Sequence, residues 1–235
     1  MPADRAATDA DHAPTWLDLY DWRQRVSALY RDRADAVRRG EDAAAIFARF
    51  CRGRDALFAH HPQTPLSATD RATFAGLRYH PYDPAYRVTA ALTLVEDPEP
   101  AELPASGAHA MRFHRAGRVS ATIAGQPISL LVYWIDVYGG GLFLPFRDGT
   151  SKATTYGGGR YLFDTVKGSD FERLDATEGV TAAMGYAGGA LVLDFNYAYN
   201  PSCAYDARWL CPLSPPDNRL ALPISAGELA YSAGH

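Results

Sequence analysis

The residues best equipped for chemistry are gathered near the C-terminus, in Leu191 to Glu228, LVLDFNYAYNPSCAYDARWLCPLSPPDNRLALPISAGE. Among its polar residues this stretch carries the carboxylates of Asp194 and Glu228, two thiols (Cys203, Cys211), three amides (Asn196, Asn200, Asn218) and the phenols of Tyr199 and Tyr205. Prolines at 201, 212, 215, 216 and 223 keep it from forming one regular element, so it reads as a loop that is either a structural knot or a site. A second candidate lies upstream, at Tyr156-Gly157-Gly158-Gly159-Arg160. Glycines let backbone N–H groups approach an anion, and arginine can grip a carboxylate or phosphate with two parallel hydrogen bonds. The pattern is neither the GxxxxGK[ST] of a P-loop nor a GxGxxG at a strand–helix junction. The competing reading is a turn before a strand, with Arg160 paired to Asp194.

Strand alternation places Asp194 and Asn196 on one face and Phe195 on the other. Two polar groups on an otherwise apolar strand need partners, either a ligand or the following loop. Asn200 precedes Pro201, a common turn start. Glu228 would serve as a general base from a pocket, and is an ordinary exposed acid otherwise. Cys203 as a nucleophile needs a base such as His80 or His114; the alternative is a small thiol packed beside prolines. Cys203 and Cys211 are too far apart for the usual zinc pair, no second pair exists, and Cys51 lies on a helix, so no metal or other cofactor is expected. His60 and His61 are adjacent and would diverge on regular structure.

These residues have to be positioned by an ordered chain. Residues 1–13 read as a disordered polar tail without the apolar core of a signal peptide, and 14–235 as one domain. Thr15 and Asp18 form a capping box, after which Leu19, Trp22, Val26, Leu29, Tyr30 and Val37 repeat at helical spacing. Arg23, Arg25, Arg31, Arg33, Arg38 and Arg39 are interspersed with acids and read as a solvated face. Gly40 ends this helix, and Asp42 caps a second with the stripe Ile46, Phe47, Phe50, Leu57 and Phe58. The resulting hairpin over 14–60 must bury its stripe, on the sheet or in a homodimer. A short helical turn is expected around Thr69 to Phe74.

From Leu77 the apolar period becomes two, which starts a β core over 77–235. Strands are expected at Tyr86–Leu94, Met111–Phe113, Val119–Ile123, Ile128–Val132, Leu142–Phe146, Tyr161–Phe163, Leu191–Phe195 and Leu220–Ile224, with a hairpin turn at Ala124-Gly125. No βαβ alternation appears. The fold class is therefore mainly β (α+β): an antiparallel β-sandwich or open barrel with an N-terminal helical hairpin. Net charge is -4, which argues against a nucleic-acid partner. No apolar run approaches the ~20 residues that span a bilayer, so no membrane partner and a cytoplasmic location are expected. All but two of the cations, Lys152 and Lys167, are arginine.

The blocks FLPFRDGTSKATTYGGGR, DFNYAYNPSCAY, CPLSPPDNRL and AGE, with upstream RGRDALFAHHPQTPL and FAGLRYHPYDP, together resemble the family of domain of unknown function 1684. The resemblance covers roughly Arg52 to Glu228. It implies an architecture and a probable site, not a reaction, at Tyr156, Gly159, Arg160, Asp194, Asn196, Tyr199, Asn200, Pro201, Cys203, Cys211, Pro212, Asn218 and Glu228. The family pattern has Ser where Thr64 stands here, which keeps the hydroxyl.

Two functions fit these residues. One is a domain that binds a small anionic molecule in a pocket of the β core through Tyr156, Arg160, Asp194, Asn196, Tyr199, Asn200 and Asn218, and that becomes an enzyme if Glu228 or Cys203 acts as the catalytic group. The other is a non-catalytic structural or protein-interaction module whose polar residues form a buried hydrogen-bond network.

Overall fold

The computed structural model describes residues 13–96, 98–107, 111–173 and 189–232; the expected N-terminal tail lies almost wholly outside them. Helices α1 (Trp16–Arg38), α2 (Ala43–His60) and α3 (Ala68–Ala72) precede strands β1 (Arg87–Leu94), β2 (Pro100–Leu103), β3 (Met111–Ile123), β4 (Gln126–Ile135), β5 (Leu142–Phe146), β6 (Arg160–Asp164), β7 (Glu172–Arg173) and β8 (Gly189–Asp194). The Thr15–Asp18 capping box and the Asp42 cap both form.

All strands join one antiparallel sheet in the order β6-β5-β4-β3-β1-β8-β7, with β2 beside β3, and the sheet curls into a half-barrel. The Ala124-Gly125 turn registers Ile123 against Gln126 as a hairpin requires. Two expected strands, at Met111 and Val119, are one long strand, because β3 absorbs a register shift between Arg115 and Gly117 and continues. Leu220–Ile224 is not a strand. Its apolar residues Leu220, Leu222 and Ile224 fill the core beneath the sheet, while Leu220 N–H donates to the Arg147 carbonyl and Ile224 N–H to a carboxylate. Alternation there reflects packing on one side of an irregular segment.

The open side of the half-barrel is spanned by chain rather than by a strand. After β8 the backbone makes a 3₁₀ turn at Phe195–Tyr197 and then pairs with β6, Tyr161 and Tyr199 exchanging backbone hydrogen bonds of 2.9 and 3.0 Å. The loop rich in special residues therefore bridges two strands that sit far apart in the sheet. The helical hairpin docks on this loop: Phe50 meets Tyr197 and Tyr30 edge-on with centroids 4.8 and 5.1 Å apart, and Phe47 packs on Tyr79, Tyr82 and Tyr197. Among the described residues no helix is long and apolar enough to cross a membrane.

Candidate functional site

Arg160 opens β6 and is 1% exposed. Its Nη2 lies 2.9 Å from Asp148 Oδ2 and 3.0 Å from the Ile224 carbonyl, and its Nη1 donates to the carbonyls of Ala226 and Glu228. Burial pulls the guanidinium pKa down, and Asp148 opposes that. The pairing with Asp194 is not formed. β6 and β8 lie near opposite ends of the strand order, so the two side chains are not neighbours. Instead of standing open to a ligand, Arg160 ties the β5–β6 connection to the C-terminal segment. The glycines serve this approach: Gly159 has φ +97°, and a Cβ there would lie 2.6 Å from the Phe146 carbonyl oxygen.

Glu228 is not an exposed acid at a strand edge. It is 1% exposed, 3.0 Å from Arg54 of α2, accepts from Tyr205 O–H, and accepts from Asn200 N–H at 3.1 Å. Arg54 Nε also donates to the Tyr79 hydroxyl oxygen at 3.0 Å. Burial raises the carboxyl pKa and Arg54 counters it. Asn200 holds the following residue, donating to the Leu229 carbonyl at 2.8 Å. Gly227 makes the turn into this position with φ +77°, and an added Cβ would sit 2.7 Å from the carbonyl oxygens of both Ala198 and Phe195. Gly227→Ala is expected to cost about 1–3 kcal/mol in a denaturant melt; an unchanged midpoint would remove this turn as a constraint on Glu228.

Two buried asparagines satisfy backbone groups of other segments, Asn218 between strands and Asn196 at the turn before β1. Asn218, fully buried, accepts from Leu131 N–H at 2.7 Å and donates to the carbonyls of Leu131 and Pro145 at 2.8 and 2.7 Å, bridging β4 and β5. Asn196, also fully buried, exchanges bonds of 2.9 and 2.8 Å with the backbone of Asp83. Asn196 reaches Asp194 Oδ1 at 2.9 Å through the 3₁₀ turn, not by sharing a strand face with it, since β8 ends at Asp194. Tyr199 is turned inward, its O–H 2.7 Å from Ser169 Oγ.

Asp194 belongs to a different constellation, one that sequence reasoning missed. Its Oδ2 is 3.9 Å from both Arg33 of α1 and Arg87 of β1, and both arginines also contact Glu172, Arg33 at 3.3 Å. Burial raises the Asp194 pKa; Arg33 lowers it. Arg33 is 6% exposed and lies over the Tyr197 ring, 3.9 Å from its centroid, so it is not part of a solvated face. Asp194, Arg33, Arg87 and Tyr197, but not Glu172, border a cavity of about 340 Å³ between the helical hairpin and the sheet, lined also by Val37, Glu41, Ile46, Tyr82 and Pro84. Arg33 also borders a second cavity, of about 480 Å³, between α1 and the Thr165–Glu172 segment. The signal in the sequence was Arg33 itself, in helical phase with the buried Val26 and Tyr30.

Cys203 and Cys211 are free thiols, Cys211 buried and Cys203 half-buried. Tyr156 O–H lies 3.7 Å from Cys203 Sγ. Of the two histidines considered as its base, the charged groups acting on the His80 ring are Arg160 and Asp148, and the His114 ring faces the Pro98 carbonyl and Asp136. His61 bonds Asp21 at 3.0 Å. Among the described residues no three His, Cys, Asp or Glu side chains come together to hold a metal.

A curled antiparallel half-barrel, bridged by a polar loop and backed by a helical hairpin, is the class that fold and site define. The chain belongs to the family described as protein of unknown function (DUF1684), whose sequence model matches residues 72–229. It is similar to the solution NMR structure of an uncharacterised protein from gene locus rrnAC0354 of Haloarcula marismortui, with 30% identity and a TM-score of 0.55, covering 79% of this chain and 92% of that one. No curated protein matches the chain.

Proposed function

We propose that the chain binds a small acid, a carboxylate or phosphate on an apolar body, in the cavity between the helical hairpin and the sheet. The observation that carries this reading is the convergence on one cavity of Arg33 and Arg87, from separate elements, with an apolar and aromatic wall. The volume, about 340 Å³, falls in the range that holds small molecules. Arg87 is 35% exposed at its side chain and uses Nη2 on Glu172 and Nε toward Asp194. Its Nη1 makes no hydrogen bond among the described residues and is free to meet an acid. Val37, Ile46, Pro84 and Tyr197 would take the body of the ligand. Of the side chains singled out from the sequence, Asp194 is the one in this role: it aligns the two guanidinium groups.

Thermal-shift screening of the pure protein against metabolite acids tests the reading, because a ligand at 100 times its Kd stabilises by about 2.7 kcal/mol. Arg87→Ala is expected to abolish the ligand-induced rise while leaving the unliganded Tm within a few degrees. A ligand that stabilises Arg87→Ala and wild type equally binds elsewhere and defeats the proposal. The burial of Arg160, Asn196, Asn218 and Glu228 favours a second reading, a non-catalytic module braced by its polar residues. Failure of all acids to shift the Tm would leave that reading standing alone.

A further inference from the structure

Cys203 and Cys211 sit apart from the proposed ligand cavity and are unused by it. Cys203 N–H donates to Cys211 Sγ at 3.4 Å, so the loop between them folds back on itself. The two thiols perturb one another's acidity, Cys203 downward and Cys211 upward. Cys211 is fixed from behind: its N–H donates to Ser106 Oγ at 2.9 Å, and its carbonyl accepts from Ser106 N–H at 2.9 Å. Tyr156 places its hydroxyl on the other side of Cys203 Sγ at 3.7 Å. Trp209 and Arg208 pin the intervening loop to the carbonyls of Pro65, Thr64 and Leu66. The sulfur of half-buried Cys203 thus sits between a phenol hydroxyl and a second, buried cysteine.

We infer that Cys203 and Cys211 form a two-thiol redox centre, with Cys203 the peroxide-reactive nucleophile and Cys211 the thiol that resolves it. The Cys203 thiolate attacks the terminal oxygen of a hydroperoxide. The O–O bond breaks, an alkoxide leaves and takes a proton, and Cys203 becomes a sulfenic acid. The Cys211 sulfur then attacks Cys203 Sγ. An S–S bond forms, the S–O bond breaks, and the departing hydroxide takes the Cys211 proton and leaves as water. Two thiols are oxidised by two electrons and one hydroperoxide is reduced to an alcohol and water. A dithiol reductant reverses the change by two thiol–disulfide exchanges, ending as its own cyclic disulfide.

The surroundings set the reactivity. Cys211 lowers the Cys203 pKa below that of an ordinary thiol against the effect of burial, with Tyr156 and Ser106 adding to the lowering. Cys203, together with burial, raises that of Cys211. The other titratable groups near the pair are Tyr156 in contact, Tyr161, whose O–H is taken by the Pro212 carbonyl, and Lys167 acting on Cys211 at longer range. Cys51, half-buried on α2 and pushed up to about 12 by burial, serves as the internal control.

The test is intact-mass spectrometry of reduced full-length protein after equimolar hydrogen peroxide. Wild type is expected to lose two hydrogens and recover them with a dithiol. Cys211→Ser is expected to stop at a sulfenic acid on Cys203, trapped by a cyclic diketone. Cys203→Ser is expected to react roughly tenfold or more slowly at neutral pH. The wild-type rate should fall with pH through a midpoint below that of an ordinary thiol, and Tyr156→Phe should move that midpoint upward. The inference is overturned if wild type reacts no faster than Cys203→Ser, if Cys51 is the residue oxidised, or if the rate follows an ordinary thiol midpoint near ~8.5. Should Tyr156→Phe not fold, the wild-type pH profile and the Cys203→Ser comparison decide alone.

Discussion

Arg160→Ala is expected to destabilise the protein by about 3–5 kcal/mol, a Tm drop of about 6–20 °C, because it breaks a buried ion pair from one side. The substitution leaves Asp148 Oδ2 without its cation at a site where both side chains are 1% exposed. Asp148 keeps other partners: Oδ1 accepts from Thr150 N–H at 2.7 Å and from Ile224 N–H at 3.2 Å. That retention holds the loop but does nothing for the stranded oxygen. The carbonyls of Ile224, Ala226 and Glu228 lose a donor at the same time. The C-terminal segment that carries Glu228 is therefore loosened together with the β5–β6 connection. Arg160→Lys is expected to lose less, because it keeps the charge, but one ammonium cannot span Asp148 and three carbonyls as the planar fork does. Equilibrium urea melts monitored by tryptophan fluorescence measure both. A wild-type melt for Arg160→Ala would mean that this network carries no stability, and would return Arg160 to consideration as a ligand-binding residue.

Asn218→Ala is expected to cost about 3–6 kcal/mol, since it strands three backbone groups at about 1–3 kcal/mol each, with some recovered by relaxation. β4 and β5 pair directly only at Tyr133–Phe143 and Trp134–Leu142. Beyond that point the Asn218 amide takes the place of the ladder, serving Leu131 N–H, the Leu131 carbonyl and the Pro145 carbonyl. Water cannot substitute at a fully buried position without opening the core. Asn218→Asp separates shape from hydrogen bonding. It preserves the volume but turns an oxygen toward two carbonyls, so it should be at least as harmful as alanine above the carboxyl pKa and less harmful below it, where a protonated acid donates one bond. Amide hydrogen exchange at Leu131 gives a local readout: in Asn218→Ala its protection should collapse towards that of surface amides. Retained protection would show that another group satisfies Leu131 and that the asparagine is dispensable.

The two substitutions probe one property of the motif residues. In this chain the polar groups of the loop are mostly spent on the chain itself. Asn218 replaces a strand partner, Asn196 holds the Asp83 backbone, Arg160 and Glu228 anchor the C-terminal segment, and Tyr199 faces Ser169. Asp194, with Arg33 and Arg87, is left beside a cavity, and Cys203 beside a second thiol.

The residue pattern alone determined the helical hairpin, its caps, the change of period near Leu77 and most of the strands, because capping and alternation are local properties of the backbone. The same local rules identified the 191–228 stretch as the place where polar groups concentrate. They misread Leu220–Ile224, whose alternation comes from lying on a core rather than in a ladder, and they overlooked β2 and β7, which are too short to show a period. What only the tertiary structure decided was partnership. Arg160 and Asp194, matched by charge in the sequence, belong to strands near opposite ends of the sheet order, so each pairs with a residue that local pattern could not nominate: Asp148 for one, Arg33 and Arg87 for the other. Arg33 read as a surface cation, and Arg54 was not singled out at all, because helical phase tells which face is apolar, not what the face meets. Both became buried when the aromatic loop after β8 packed against the hairpin and brought Asp194 and Glu228 to them. Charge and spacing are written along the chain, but desolvation and ion pairing depend on which elements meet, and that is settled only when the sheet curls and the loop closes its open side.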